Sequence, residues 1–293
     1  MKTLGGWLGL GVAGALALFP NPARAWGDTG HRTVGELAFG YLSPEARAKV
    51  QEALTEPGYD TLAEAATWPD TYARKHSEYD AMKPFHYVNI DARAPSYSQK
   101  RDCPNGCVVT ALAQFIALLS ASEPAPSLAE RRTAIYWIAH FIGDIHQPLH
   151  VAHPDGKGGT ATLLGFFEAR DKRSAHWIWD FGLIERRPVS PPRTADSPVL
   201  EADFHSLAAE LAQNLSPAKA RAFRRTLAPE AMANESLRVS QRHAFLTAAE
   251  HVDAAYARRH WPVVAEQLQK AGVRLAEVLE RALVKPAPRA SAF

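Results

Sequence analysis

The sequence predicts an all-α protein, a single mainly helical domain with connecting loops and room for one short β-hairpin. Apolar residues recur at helical spacing over long stretches, and those stretches are rich in strong helix formers. Segments of strict alternation are few and short. With 293 residues, 46% of them hydrophobic and 22% charged, the chain is long enough to bury a sizeable core.

The first 25 residues stand apart from the rest. Lys2 gives a short basic start, Trp7 to Phe19 is an apolar run of about 13 residues, and Ala23-Arg24-Ala25 fits the small-residue rule for leader cleavage. The run falls short of the roughly 20 residues needed to cross a bilayer, and no other segment is a better candidate for a membrane anchor. The mature chain is therefore expected to begin at Trp26, in the periplasm or outside the cell.

Helices are expected near Gly30 to Tyr41, Pro44 to Leu54 with Ser43 as cap, Leu62 to Lys75, Val108 to Ser120 and Leu128 to His150. Further helices are expected over Lys172 to Leu183, Val199 to Leu215, Pro229 to Arg258 and Trp261 to Leu283. Arg187 to Pro198 reads as a Pro-rich loop, and 284–293 as a loose tail. Asn89 to Asn105 and His153 to Gly165 look like surface loops, with the short hairpin placed through Thr160 to Phe167.

Loss of the leader removes Lys2 and Arg24 but no acid, changing 33 basic against 31 acidic residues to 31 against 31. A neutral chain has no broad basic surface with which to hold a polyanion, so any attraction for phosphate must be local, and bound metal supplies it most directly. Cys103 and Cys107 enclose Pro-Asn-Gly; in an oxidising compartment such a pair closes a small disulfide loop.

The strongest local signal runs from His140 to His150. His140 and Asp144 stand at i and i+4 on one helix face, where both reach one metal. Pro148 should end or bend that helix and turn His150 towards a different point. His176 and Asp180 repeat the spacing on another helix. A lone His-x3-Asp is usually a core histidine or a helix ion pair. Two such pairs with His150 favour metal, and His150, His176 and Asp180 make a three-ligand set with an open position.

With these residues in view, the sequence resembles the S-one/P-one nuclease family, the trinuclear-zinc, single-strand-specific type I nucleases. The resemblance is carried by Trp26-Gly-Asp-Thr-Gly-His31, Thr67-Trp-Pro-Asp70, Pro84-Phe-His86-Tyr-Val-Asn-Ile, the His140 to His150 string, and His176 with Asp180. Cys103-x3-Cys107 and Ala271-Gly-Val-Arg-Leu-Ala also resemble family positions. It implies the helical fold shared with zinc phospholipase C and a nuclease domain over 26–283. It also implies three Zn²⁺ ions per chain: one on Asp70, His86, His140 and Asp144; one on the Trp26 amine and carbonyl with His31 and Asp144; one on His150, His176 and Asp180.

The chemistry of these groups agrees with that arrangement. A free α-amine has a pKa near roughly 8, so it becomes a neutral nitrogen ligand near neutral pH, and leader removal would complete the site. Two ions sharing Asp144 would hold a bridging hydroxide for in-line attack, with Asp70 and Asp144 as the catalytic carboxylates. The implied activity is endonucleolytic hydrolysis of single-stranded DNA and RNA to 5′-phosphate products, with 3′-nucleotides as further substrates. No protein partner is indicated, and a monomer is expected.

The chain departs from the family pattern at several points. The site arginine is replaced by Ala73, with Arg74 one residue later on nearly the same face as the candidate substitute. Tyr87 and Asn89 stand where fungal members stack and hydrogen-bond the base, which points to broader base tolerance. Thr160 replaces an Asn, and Ser174-Ala175 an Asn-Leu pair. His76, His153, His205, His243, His251 and His260 are read as surface or structural, and His146 as facing away from Asp144. Trp177 and Trp179 are read as core or cleft wall. The alternatives are a zinc phospholipase C-type phosphodiesterase, whose last ligand is usually Glu where this chain has Asp180, and an exported zinc-binding protein without turnover.

Overall fold

The computed structural model describes residues 26–188 and 203–284. In chain order its α-helices are α1 (Asp28–Tyr41), α2 (Pro44–Ala53), α3 (Leu62–Ala65), α4 (Trp68–Thr71), α5 (Gln99–Asp102), α6 (Val108–Leu119), α7 (Leu128–His146), α8 (Ala175–Trp177), α9 (Leu183–Glu185), α10 (Phe204–Gln213), α11 (Pro217–Phe223), α12 (Pro229–Val239) and α13 (Ala254–Val284). Turns of 3-10 helix at Ala73–Lys75, Ser77–His86 and Pro148–His150, and π-helical turns at Ile178–Gly182 and Ser240–Ala244, join some of them. Three short strands, β1 (Leu163–Phe166), β2 (Arg173–Ser174) and β3 (His251–Val252), form a small sheet in the order β2-β1-β3. The fold is mainly α, as the sequence predicts.

Helix α7 is the centre. Ser127 and Glu130 close a capping box at its start. Every residue from Ala134 to His146 is buried, the mark of a helix wrapped on all sides by others. α1, α6, α12 and α13 pack around it. Its C-terminal carbonyls, which no helical N–H can reach, are taken up by neighbours: Ser236 Oγ donates to Ile145 O at 2.6 Å and Gln267 Nε2 to His146 O at 2.8 Å. The chain therefore leaves α7 from a fixed point.

Several element boundaries differ from expectation. The helix expected over Leu62 to Lys75 is three pieces, because Pro69 has no N–H to continue the ladder and constrains Trp68 before it. Pro148 ends α7 at His146 and starts a separate 3-10 turn carrying His150. The helix expected from Lys172 starts instead at Ala175, where Ser174 Oγ caps Trp177 N at 3.1 Å; Arg173 and Ser174 pair antiparallel with Leu164 and Leu163 in the hairpin.

The helix expected over Pro229 to Arg258 ends in the π turn, since His251–Val252 pair in parallel with Gly165–Phe166 and tertiary pairing overrides helix propensity there. α13 starts at Ala254, not Trp261: Asp253 Oδ1 accepts from Tyr256 N at 2.8 Å, and the helix runs on through Pro262. Ser77–His86 and Pro217–Phe223 are further helical segments outside the expected helices, and Gln99–Asp102 is a helical turn within the stretch expected to be a surface loop over Asn89 to Asn105. Residues 1–25, 189–202 and 285–293, which include the expected leader, most of the Pro-rich loop, the first residues of the helix expected from Val199, and the tail, lie outside the described residues.

Cys103 and Cys107 form a disulfide with Cα atoms 5.5 Å apart, immediately before α6. Among the described residues, no helix is long and apolar enough to cross a membrane.

Candidate metal centre

α7 presents His140 and Asp144 on one face, with the small Gly143 between them. α1 brings His31 against that face, and its ring stacks on His140 at 4.0 Å with only 11° between planes. The turn of α4 brings Asp70, the end of the 3-10 segment brings His86, and the turn after α7 brings His150. α8 and the π turn after it carry His176 and Asp180. All eight residues are buried, 9% exposed or less, and most are nearly inaccessible.

Three groups of donor atoms result, each within 4.8 Å: His31, His140 and Asp144; Asp70, His86 and His140; His150, His176 and Asp180. His140 is common to the first two, and Asp144 faces histidines of both. Its Oδ2 lies 3.1 Å from His86 Nδ1 and 3.3 Å from His140 Nε2, whereas its Oδ1 faces His31 Nε2 at 3.6 Å and His150 Nδ1 at 3.5 Å.

The rings are oriented from behind. Nδ1 of His140 bonds Ala66 O at 2.8 Å, that of His150 bonds His86 O at 2.9 Å, and that of His176 bonds Gly158 O at 2.8 Å. Each carbonyl fixes a tautomer with the proton on Nδ1 and leaves Nε2 as the donor, the usual outer-shell arrangement of metal-binding histidine. Gly158, at φ +61°, is needed for this, since a β-carbon there would lie 2.7 Å from Leu149 O.

Electrostatics point the same way. Burial pushes the pKa of His31 and His150 well below the ordinary value, with neighbouring imidazoles adding to it, and takes His86 down to about 4. His140 is lowered by burial too. Neutral imidazoles are what a metal requires. Burial also pushes Asp144 well above the carboxylate range and raises Asp180. Three carboxylates sharing a buried space with uncharged rings need positive charge to stay ionised. Arg74 supplies some at one edge, 2.7 Å from Asp70 Oδ1. Both ring nitrogens of His31, Nε2 of His150 and Oδ1 of Asp144 are buried without a hydrogen bond. These donors fit metal ions.

Trp26 is fully buried at the start of α1, and the next residue, Gly27, donates to the carbonyl of Asp180 at 3.1 Å. Tyr87 and Asn89 are exposed on one side of an extended segment, while Val88 N and Ile90 N bond His150 O and Val151 O at 2.8 and 2.9 Å. Base-binding candidates thus sit on a strip fastened to the ligand-bearing turn. His146 faces away from Asp144; its Nδ1 bonds Ile142 O and its Nε2 accepts from the buried Arg274.

Sequence reasoning missed Gln147. Fully buried, it donates through Nε2 to Asp180 Oδ1 and accepts from Leu149 N through Oε1. A polar residue between two ligands, on an apolar helix that ends at a proline, was the available signal.

A helical protein that buries three adjoining His/Asp donor groups, with His140 common to two of them, has donor sets that fit a trinuclear metal site. Comparison with known proteins narrows the class. The sequence model of the S1/P1 Nuclease family matches residues 26–284, and the chain belongs to that family. It is 29% identical to Endonuclease 4 of Arabidopsis thaliana over 272 residues, covering 89% of this chain and 90% of the relative. It is 30% identical to Nuclease S1 of Aspergillus oryzae over 183 residues, 60% of each, and 34% identical to Nuclease P1 of Penicillium citrinum over 156 residues, 52% of this chain and 56% of that one. The protein is a hydrolytic nuclease, and its substrates are nucleic acids.

Proposed function

We propose that the chain is an exported, zinc-dependent endonuclease that hydrolyses single-stranded DNA and RNA to 5′-phosphate products and also removes phosphate from 3′-nucleotides. The observation that carries this reading is the pair of carboxylate oxygens of Asp144, each turned to a different set of histidines. A donor set of imidazole nitrogens and carboxylate oxygens suits zinc.

Asp70, His86, His140 and Asp144 would hold one ion. His31, Asp144 and the amine and carbonyl of Trp26 would hold a second, once the leader is cut. His150, His176 and Asp180 would hold a third and leave one position open. Zinc held there would supply Lewis acidity, lowering the pKa of a bound water towards neutrality and drawing charge from a phosphate. Asp70 and Asp144 keep the charged groups in register. Arg74, only partly exposed and paired with Asp70, lies where its guanidinium can donate to a phosphate oxygen. Tyr87, 43% exposed, offers a face on which any unpaired base can stack, and Asn89 offers both a donor and an acceptor. A base held in a duplex cannot present its face this way, which favours single strands.

The test is digestion by the processed chain of single-stranded DNA, RNA, duplex DNA and phosphatidylcholine, with end analysis of the products. Single strands cut to 5′-phosphate and 3′-hydroxyl ends, with duplex cut far more slowly, is the expected result. Hydrolysis of phosphatidylcholine without cleavage of denatured DNA, or zinc bound without turnover, overturns the proposal.

A further inference from the structure

A groove of about 680 Å³ lies between α11, α12 with its π turn, and α13, and none of the eight candidate ligands lines it. Its walls carry Lys219, Arg238, Arg242, Lys270 and Arg274 against the carboxylates Glu235 and Glu266, five less two, an excess of three positive charges before His243 is counted. The chain from Trp26 onward has equal numbers of basic and acidic residues, so this excess is a local departure from neutrality.

The cations fall into two sets. Glu266 takes Lys219 and Lys270 at 3.0 Å each, and Glu235 takes Arg274 at 2.7 Å, so these five groups largely compensate one another. Arg238 and Arg242 are exposed, stand at i and i+4, and form no ion pair among the described residues. Two uncompensated guanidiniums lining a groove together with Val239, Pro262 and Val263 make a binding place for phosphates spaced along a chain.

The groove is also tied to the metal centre. Ser240, in the turn that carries Arg242, donates to the carbonyl of Ala152 at 2.6 Å, two residues past His150. Phe245, which follows that turn, packs against His153 with ring centroids 5.7 Å apart. The turn that carries Arg242 thus rests on the loop that follows His150.

We propose that this groove is a second binding site for the phosphodiester backbone of single-stranded nucleic acid, which holds a long strand at Arg238 and Arg242 while another part of that strand is at the metal centre. The inference rests on the nuclease reading above for its substrate. It makes long strands better substrates than short ones, and it makes that advantage sensitive to salt.

The test compares the zinc-loaded chain with the charge reversal Arg238→Glu/Arg242→Glu, and with an equal reversal outside the groove, Lys49→Glu/Arg281→Glu. Cleavage of a 20-nucleotide DNA strand and of a dinucleotide is followed, together with fluorescence anisotropy of the labelled strand. The groove variant should raise KM and Kd for the long strand by at least about tenfold near 0.1 M salt, and reduce the salt slope of log K by roughly 1.4, two phosphate contacts of about 0.7 each. The kcat, the dinucleotide kinetics and the control reversal should stay within about twofold of wild type. Unchanged long-strand binding, or an equal loss in the control, overturns the proposal. Failure of the wild type to cut either DNA overturns the nuclease reading instead, and the anisotropy comparison still decides the groove.

Discussion

Gly143 lies directly against the ring of His31: a β-carbon on Gly143 would sit 2.6 Å from His31 Nδ1. Within a helix, alanine is ordinarily favoured over glycine by about 1 kcal/mol, so propensity alone expects Gly143→Ala to stabilise α7. The contact decides otherwise at the site. His31 must give way, and its nitrogen leaves the reach of Asp144. The variant should fold, lose one metal equivalent and lose roughly 100-fold in activity. Metal analysis checks this, and an unchanged metal content would remove His31 from the ligand set.

Asp144→Asn keeps the shape but removes the charge and turns one acceptor into a donor. Since the two oxygens face different histidine sets, two of the metal equivalents should be lost with essentially all activity. Circular dichroism should remain native-like. Near-normal turnover would reject the bridging role.

Gln147→Glu replaces the amide donor to Asp180 with a second carboxylate. The pair would then repel at full burial, while Gln147→Ala would only leave Asp180 without that bond. Affinity for the ion on His150, His176 and Asp180 should change by about 10- to 100-fold in either variant. Zinc titration against a competing chelator measures it, and equal affinities in the variants and wild type would make Gln147 a packing residue.

Arg74→Ala should keep the metal content and lower kcat by roughly 100-fold, with Arg74→Lys recovering part of the loss. Unaltered kcat in the alanine variant would make Arg74 a surface cation.

The helical class, the His140–Asp144 and His176–Asp180 pairs and the turn at Pro148 were legible because each depends on spacing along one helix. Which helices share a metal is a long-range fact. Asp70, His86 and His31 come from three different elements, and only their likeness to family motifs pointed to them. Gly143 and Gly158 act by what they face in space, so their roles were hidden, and Gln147 was marked only by being a polar residue between two ligands. Boundaries failed where tertiary contacts overrode local preference. β3 pairs with β1 through a stretch of good helix formers, and Asp253 starts α13 well before the apolar stripe at Trp261 becomes evident.

Zinc bound per chain is the most direct measure of the central claim, that a free Trp26 terminus and buried His and Asp side chains share one cluster. Measured by atomic emission, a chain beginning at Trp26 should hold three zinc ions, the number of donor groups, and the same chain with one glycine added before Trp26 should hold fewer. Equal zinc in the two chains would contradict a terminal ligand, and less than one zinc in the processed chain would contradict the cluster.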